Sequence, residues 1–252
     1  MNQATCIPVT ADIAEDIITE LCTTRQCAPA FAEKLVGKYR VSIRLAAALG
    51  LDAHAIGVVI AEAESLKMRI VVEEAHELER RVVVHCHGGP GARYAIEAGA
   101  DTIEHGVYFT RDDLELLAAR GVPLVITYGV YEQGMHSPDV PAFFKEKCVE
   151  VMARYLTTIA TAREVGVRIA VGTDTVHRDL VAELRALEKA GYRRAEALQA
   201  CTGWAADVLG LPLVGRVEPG RVADLLAVEG NPLEDVAAVG RVRGVMQAGR
   251  VC

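Results

Sequence analysis

The chain has 252 residues, 51% hydrophobic and 24% charged, and a chain this apolar can bury a sizeable core, which excludes disorder. Its 27 Lys+Arg against 34 Asp+Glu give a net charge of −7. With no basic run, nucleic acid and anionic membranes are excluded as partners. No apolar stretch reaches the roughly 18 residues of a membrane-spanning helix, and Met1 to Thr10 lack the basic and apolar regions of a signal peptide. The seven cysteines are scattered, with no CxxC pair, which fits reduced thiols in a cytoplasmic protein.

Residues 1–60 carry few signals. Ile13, Ile17 and Leu21 predict a helix after Asp12, Val41 to Leu45 fit strand or helix, and Ile56 to Ala61 read as a strand. An amphipathic helix is predicted over Glu62 to Glu79. The apolar run from Val82 to Val84 leads into His85-Cys86-His87, then a Gly/Pro loop at Gly88 to Gly91 and a short helix stopped by Gly99. A second strand is Thr102 to His105. A helix runs from Thr110 to Gly121, with Asp112 and Asp113 in its first turn. A third strand is Pro123 to Tyr128, followed by a loop to Val140 and a helix over Ala142 to Glu164. The fourth strand, Val167 to Val171, ends in Gly172-Thr173-Asp174. Helices follow over Leu180 to Ala190 and Arg194 to Leu209. From Val214 the pattern changes to short strands and turns: Leu225 to Val228, Val242 to Met246 and Arg250 to Cys252.

This alternation predicts an α/β protein with parallel strands joined by right-handed crossovers, in an open sheet or part of a (β/α) barrel. The organisation expected is a weakly patterned segment 1–60, a β/α portion 61–213 and a β element 214–252. In either architecture function sits at the C-terminal ends of the strands, and His85, His87, His105, Thr127 and Asp174 all lie there. Residues i and i+2 of a strand share a face, so His85 and His87 can face one metal. With His105 and Asp174 they make a ligand set suited to Zn²⁺ or a similar ion. Such an ion lowers the pKa of a bound water to about 7, and Asp174 can ligate, accept the water's proton, or both. Thr127 and Tyr128, at the end of the third strand, are candidate substrate contacts, and the loop with Tyr131 and His136 is a candidate lining. Gly88 to Gly91 could cradle a phosphate before a helix, although it lacks the Lys and Ser/Thr of a P-loop.

Four segments stand out together: Val82 to Gly106 (VVVHCHGGPGARYAIEAGADTIEHG), Val171 to Thr175 (VGTDT), Ala200 to Leu211 (ACTGWAADVLGL) and Val214 to Val236 (VGRVEPGRVADLLAVEGNPLEDV). In order and spacing they resemble the amidohydrolase superfamily of metal-dependent hydrolases, in particular its imidazolonepropionase-like and Xaa-Pro-dipeptidase-like branch. The resemblance implies a (β/α)8 TIM-type barrel with a small β-sandwich built from both chain ends, to which residues 214–252 contribute. It implies that His85 and His105 are metal ligands after barrel strands 5 and 6, and that Asp174 after strand 8 is both ligand and base. His87 is then a neighbour that could serve as an extra ligand. It also implies hydrolysis of a C–N bond in a cyclic amide or peptide-like small molecule.

This chain departs from the family pattern upstream. No HxH precedes His85, and Gly50-Leu51-Asp52 is followed by Ala53-His54-Ala55, without the bridging Lys. The expectation is an incomplete or modified barrel, holding strands 5 to 8, with a single metal (Zn²⁺ or another divalent ion such as Mn²⁺). The alternative is a catalytically inactive homologue, either a fold remnant or a subunit that complements a second chain. Association with copies of itself is a further expectation.

Overall fold

A computed structural model describes residues 53–138, 140–174 and 180–252, with side chains from residue 65 onward. The expected helix after Asp12, the segment Val41 to Leu45 and the Gly50-Leu51-Asp52 phrase lie outside the described residues. The chain divides into two compact units, residues 1–80 and 81–252. In the first, helix α1 spans Ala53–Glu77. It absorbs Ile56 to Ala61, which the pattern assigned to a strand. Between Ala53 and Glu77 there is no Pro and one Gly, and Ala53, Ala55, Ala61 and Ala63 are strong helix formers, so nothing interrupts propagation.

The second unit opens with β1 (Val83–Cys86), α2 (Pro90–Ala98), β2 (Thr102–His105), α3 (Arg111–Arg120), β3 (Leu124–Ile126) and α4 (Gly129–His136). It continues with α5 (Ala142–Val165), β4 (Ile169–Val171), α6 (Leu180–Lys189), α7 (Arg194–Ala200) and α8 (Gly203–Leu209). The four strands form one parallel sheet in the order β1-β2-β3-β4, so each strand pairs with the next in sequence, as barrel strands do. The sheet's core layer is Ile103, Leu124, Ile126 and Ile169, with Ile96, Leu114, Leu117, Ile159, Leu184 and Leu187 from the helices, all inaccessible to solvent. Each such side chain contributes about 1.5–3 kcal/mol on burial.

Local chemistry sets the element ends. Thr110 caps α3: its hydroxyl accepts from Asp113 N at 3.3 Å, and the Asp113 carboxylate accepts from Thr110 N at 2.9 Å. The expected single helix over Arg194 to Leu209 is two, α7 and α8. Thr202, at φ −129° and ψ −96°, leaves the helical region between them, and its hydroxyl donates back to Leu198 O at 2.6 Å. The expected loop after β3 contains α4.

A three-stranded antiparallel sheet follows, β5 (Leu225–Val228), β6 (Val242–Gln247) and β7 (Arg250–Val251). A 3₁₀ turn over Val236–Gly240 joins β5 to β6 and packs on α6 through buried Val236 and Ala238. Among the described residues no helix is long and apolar enough to cross a membrane.

Candidate metal and catalytic site

Three imidazoles meet beyond the C-terminal ends of β1 and β2. The ring centroids of His85 and His105 are 4.4 Å apart, His85 and His87 4.8 Å, and His87 and His105 4.9 Å. Strand alternation explains His85 with His87 but not His105. The β1–β2 register places His85 opposite Glu104 and Cys86 opposite His105, so regular alternation would send the His105 ring to the Cys86 face. His105 instead has φ +70°, a left-handed backbone that ends the alternation and turns the ring toward His85. Asp174 has φ +50°. Non-glycine residues are uncommon in this region, and such strain gathers at functional sites.

Backbone hydrogen bonds carry the strand ends into the site. Gly106 N donates to Cys86 O at 2.9 Å and Tyr108 N to His87 O at 2.7 Å. Gly88, at φ +153°, lies against Tyr108: an added Cβ would sit 2.9 Å from the Tyr108 Cβ. This glycine therefore serves the close approach of two loops. Pro90 at the start of α2 has no N–H to offer an anion, and Gly88 has a packing explanation that needs no phosphate.

Two of the three rings, His105 and His87, are each held at one nitrogen. His105 is buried, and its Nδ1 lies 2.7 Å from Thr127 Oγ1. His87 Nδ1 lies 3.3 Å from the Tyr131 hydroxyl. Thr127 N donates to the buried Tyr155 hydroxyl at 3.0 Å. Burial lowers the His105 pKa to about 4, with His85 and His87 adding to the effect and Asp174 opposing it. His87 is lowered for the same reasons, burial first. Burial, with Tyr108 and Asp174 nearby, pushes the Tyr131 phenol up to about 12. At neutral pH His87 and His105 therefore present uncharged imidazoles and Tyr131 a protonated phenol.

That donor set fits a divalent transition metal in its chemistry: neutral imidazoles are metal ligands, and the ring nitrogens not facing Thr127 and Tyr131 are Nε2 of His105 and His87. The fit is incomplete in geometry. Among the described residues no group of three or more His, Cys, Asp or Glu side chains is arranged to hold an ion.

The structure brings His85, His87 and His105 together and sets Asp174, solvent-exposed, within electrostatic reach of His87 and His105. Thr127 and Tyr128 are buried, Thr127 turned to His105 and Tyr128 packed beside Tyr155 with ring centroids 6.2 Å apart. Cys86 is buried, as expected for the face opposite His85. Sequence reasoning missed Tyr155 and Glu183. Tyr155 sits in a helix and Glu183 reads as an ordinary first-turn acid, although an acid at a position facing the core is a detectable signal. A separate cleft of about 330 Å³ lies at the opposite ends of the strands, lined by Arg81, Asp101, Arg120, Arg168 and Asp207 among others. Its carboxylates are committed, Asp101 to Val82 N at 2.7 Å and Asp207 to Arg216 at 2.6 Å.

The parallel β/α array holds its histidine cluster at the C-terminal ends of the strands, where α/β proteins of the barrel and open-sheet types place their functional sites. The profile of the amidohydrolase family matches residues 27–252, and the chain belongs to that family. It is 33% identical over 177 residues to ochratoxinase of Aspergillus niger, a match covering 68% of this chain and 37% of that protein. It is 30% identical over 162 residues to imidazolonepropionase of Deinococcus deserti, covering 63% and 38%. Among solved structures, a Xaa-Pro dipeptidase with methionine bound in its active site superposes with a TM-score of 0.68 at 31% identity, over 75% of this chain and 48% of that one. The chain thus spans less than half the length of these relatives.

Proposed function

We propose that this chain carries the histidine portion of an amidohydrolase site that hydrolyses a C–N bond in a cyclic amide or peptide-like small molecule. The observation that carries the reading is the triangle of imidazoles at 4.4–4.9 Å beyond adjacent parallel strands, in a chain of this family. His85, His105 and Asp174 would hold one divalent ion, Zn²⁺ or another such as Mn²⁺, with His87 as an additional donor. When bound, such an ion supplies Lewis acidity and lowers the pKa of water to about 7.

The remaining steps belong to the chain's own groups. His105 stays neutral because burial opposes its protonation, so it keeps a lone pair available at neutral pH. The Asp174 carboxylate takes the proton of the attacking water at its oxygen and delivers it to the leaving nitrogen, turning a poor amide leaving group into an amine. Tyr131, its phenol held protonated, stands beside His87 with its hydroxyl 3.3 Å from Nδ1. The ochratoxinase, imidazolonepropionase and Xaa-Pro dipeptidase relatives support the substrate class. In the family pattern the β-element 214–252 belongs to a sandwich outside the barrel, and its exposed Leu226, Val245 and Val251 accord with that.

The test is amine release from a panel of N-acyl amino acids, Xaa-Pro dipeptides and cyclic amides in the presence of Zn²⁺ or Mn²⁺. Activity lost at least 10³-fold in Asp174→Asn supports the reading, whereas no release, or equal rates in the variant, refutes it. A second reading, a silent chain that completes the site of another, is favoured by the absence of a closed ligand group among the described residues. It predicts activity only after mixing with a protein carrying the remaining ligands.

A further inference from the structure

The segment Thr127 to Tyr131, which runs from the end of β3 into the first turn of α4, touches two rings of the cluster at once. Its first residue, Thr127, holds His105, and its fifth, Tyr131, reaches His87; both act at Nδ1, at 2.7 Å and 3.3 Å. The residues between them are fixed from outside the segment. Tyr128, at the N-cap of α4, makes no side-chain cap. The cap comes instead from Glu183 on α6, which is fully buried. Glu183 Oε2 accepts from Tyr128 N at 2.8 Å and Oε1 from Gly129 N at 2.6 Å. One carboxylate thus satisfies two successive amides at a helix N-terminus, where negative charge is favoured. Tyr155 holds the preceding amide, that of Thr127, at 3.0 Å.

We infer that Glu183 is a positioning residue for the histidine cluster: by anchoring this segment it presents Thr127 and Tyr131 as a clamp that fixes the orientation and tautomer of His105 and His87. The inference rests on the metal-site reading above for its purpose, though not for its geometry. A neutral histidine that gives Nε2 to a metal must carry its proton on Nδ1, and an acceptor at Nδ1 selects that tautomer. Thr127 Oγ1 is placed as that acceptor. Outer groups of this kind typically change metal affinity 10–100-fold when removed.

The test uses the full chain, with two readouts. The first is the tautomer of His105 and His87 by long-range ¹H–¹⁵N NMR in metal-free protein. The clamp predicts protonated Nδ1 in the wild type, a shift toward the Nε2–H form at His105 in Thr127→Val and at His87 in Tyr131→Phe, at both in Glu183→Gln, and recovery in Thr127→Ser. The second is Co²⁺ affinity by optical titration, expected to fall 10–100-fold in Thr127→Val and Glu183→Gln and to return within about threefold in Thr127→Ser. Unchanged tautomers in Thr127→Val and Tyr131→Phe overturn the clamp, and these two variants leave the Glu183 cap intact if Glu183→Gln does not fold. Normal tautomers in a folded Glu183→Gln overturn the role of Glu183. A wild type with the predicted tautomers that binds no Co²⁺ supports the clamp while refuting the metal reading.

Discussion

Replacing Tyr155 by Phe removes, at nearly constant volume, the hydroxyl that bonds the Thr127 backbone and side chain. Tyr155 is inaccessible to solvent, and its hydroxyl accepts from Thr127 N at 3.0 Å. Removing the oxygen leaves the ring packing in place and strands a buried amide. A stranded donor of this kind costs about 1–3 kcal/mol, whereas the hydrogen bond itself nets only about 1 kcal/mol. For a chain of this size each kcal/mol lowers the midpoint of thermal unfolding by roughly 2–4 °C. About 2 kcal/mol therefore means a fall of roughly 4–8 °C, readable by circular dichroism or calorimetry. Because Thr127 also holds His105, Co²⁺ affinity should weaken in the same variant. A melting point within 1 °C of wild type, with unchanged Co²⁺ binding, would refute the reasoning, since it would mean that water or a backbone shift satisfies the amide at no cost.

Gly172 leaves little room for a methyl group: a Cβ there would meet Val125 Cγ1 at 3.2 Å and Thr127 Cγ2 at 3.3 Å, so both side chains must shift by a few tenths of an ångström. Gly172→Ala should destabilise by about 1–3 kcal/mol and weaken Co²⁺ binding through Thr127, as urea unfolding and optical titration would show. Asp101 accepts from Val82 N at 2.7 Å at the start of β1. Asp101→Ala should cost about 1–2 kcal/mol in urea unfolding and leave Co²⁺ affinity unchanged, because it lies at the other end of the strand. In metal-free protein, acid should destabilise through His105. Its folded pKa of about 4 lies below the ordinary 6.5, so the unfolded chain binds more protons in that window. Stability present in full above pH 6.5 then falls as the pH drops toward 4, by on the order of 3 kcal/mol. The fall should shrink in His105→Gln when unfolding is compared at pH 7 and pH 4.5.

Much of the fold is written in local chemistry. The four strands of the β/α array are marked by apolar runs between glycine stops and polar caps, and Thr110 with Asp113 declares the start of α3 before any coordinates are seen. The burial of Cys86 is what period-two alternation predicts for a thiol beside His85. The places where sequence patterns fall short are those where one residue leaves the regular backbone. Alternation would send His105 away from His85, and only the left-handed φ at His105 reverses that. Thr202 breaks one apparent helix into two because its hydroxyl returns to Leu198. Ile56 to Ala61 reads as a strand because a short apolar run has no period of its own, and helix propagation over the alanines decides it. Glu183 and Tyr155 escape notice for a different reason. Their importance lies in long-range bonds to backbone amides, which leave no spacing signature in the chain.

The central claim, that the imidazole cluster and Asp174 form a metal site, is tested most directly by elemental analysis of the purified protein beside His85→Ala and Asp174→Asn. The account predicts about one Zn²⁺ or Mn²⁺ per chain in the wild type and its loss in both variants, each remaining folded. A folded, soluble wild type without stoichiometric metal, or variants that retain the ion, would contradict it.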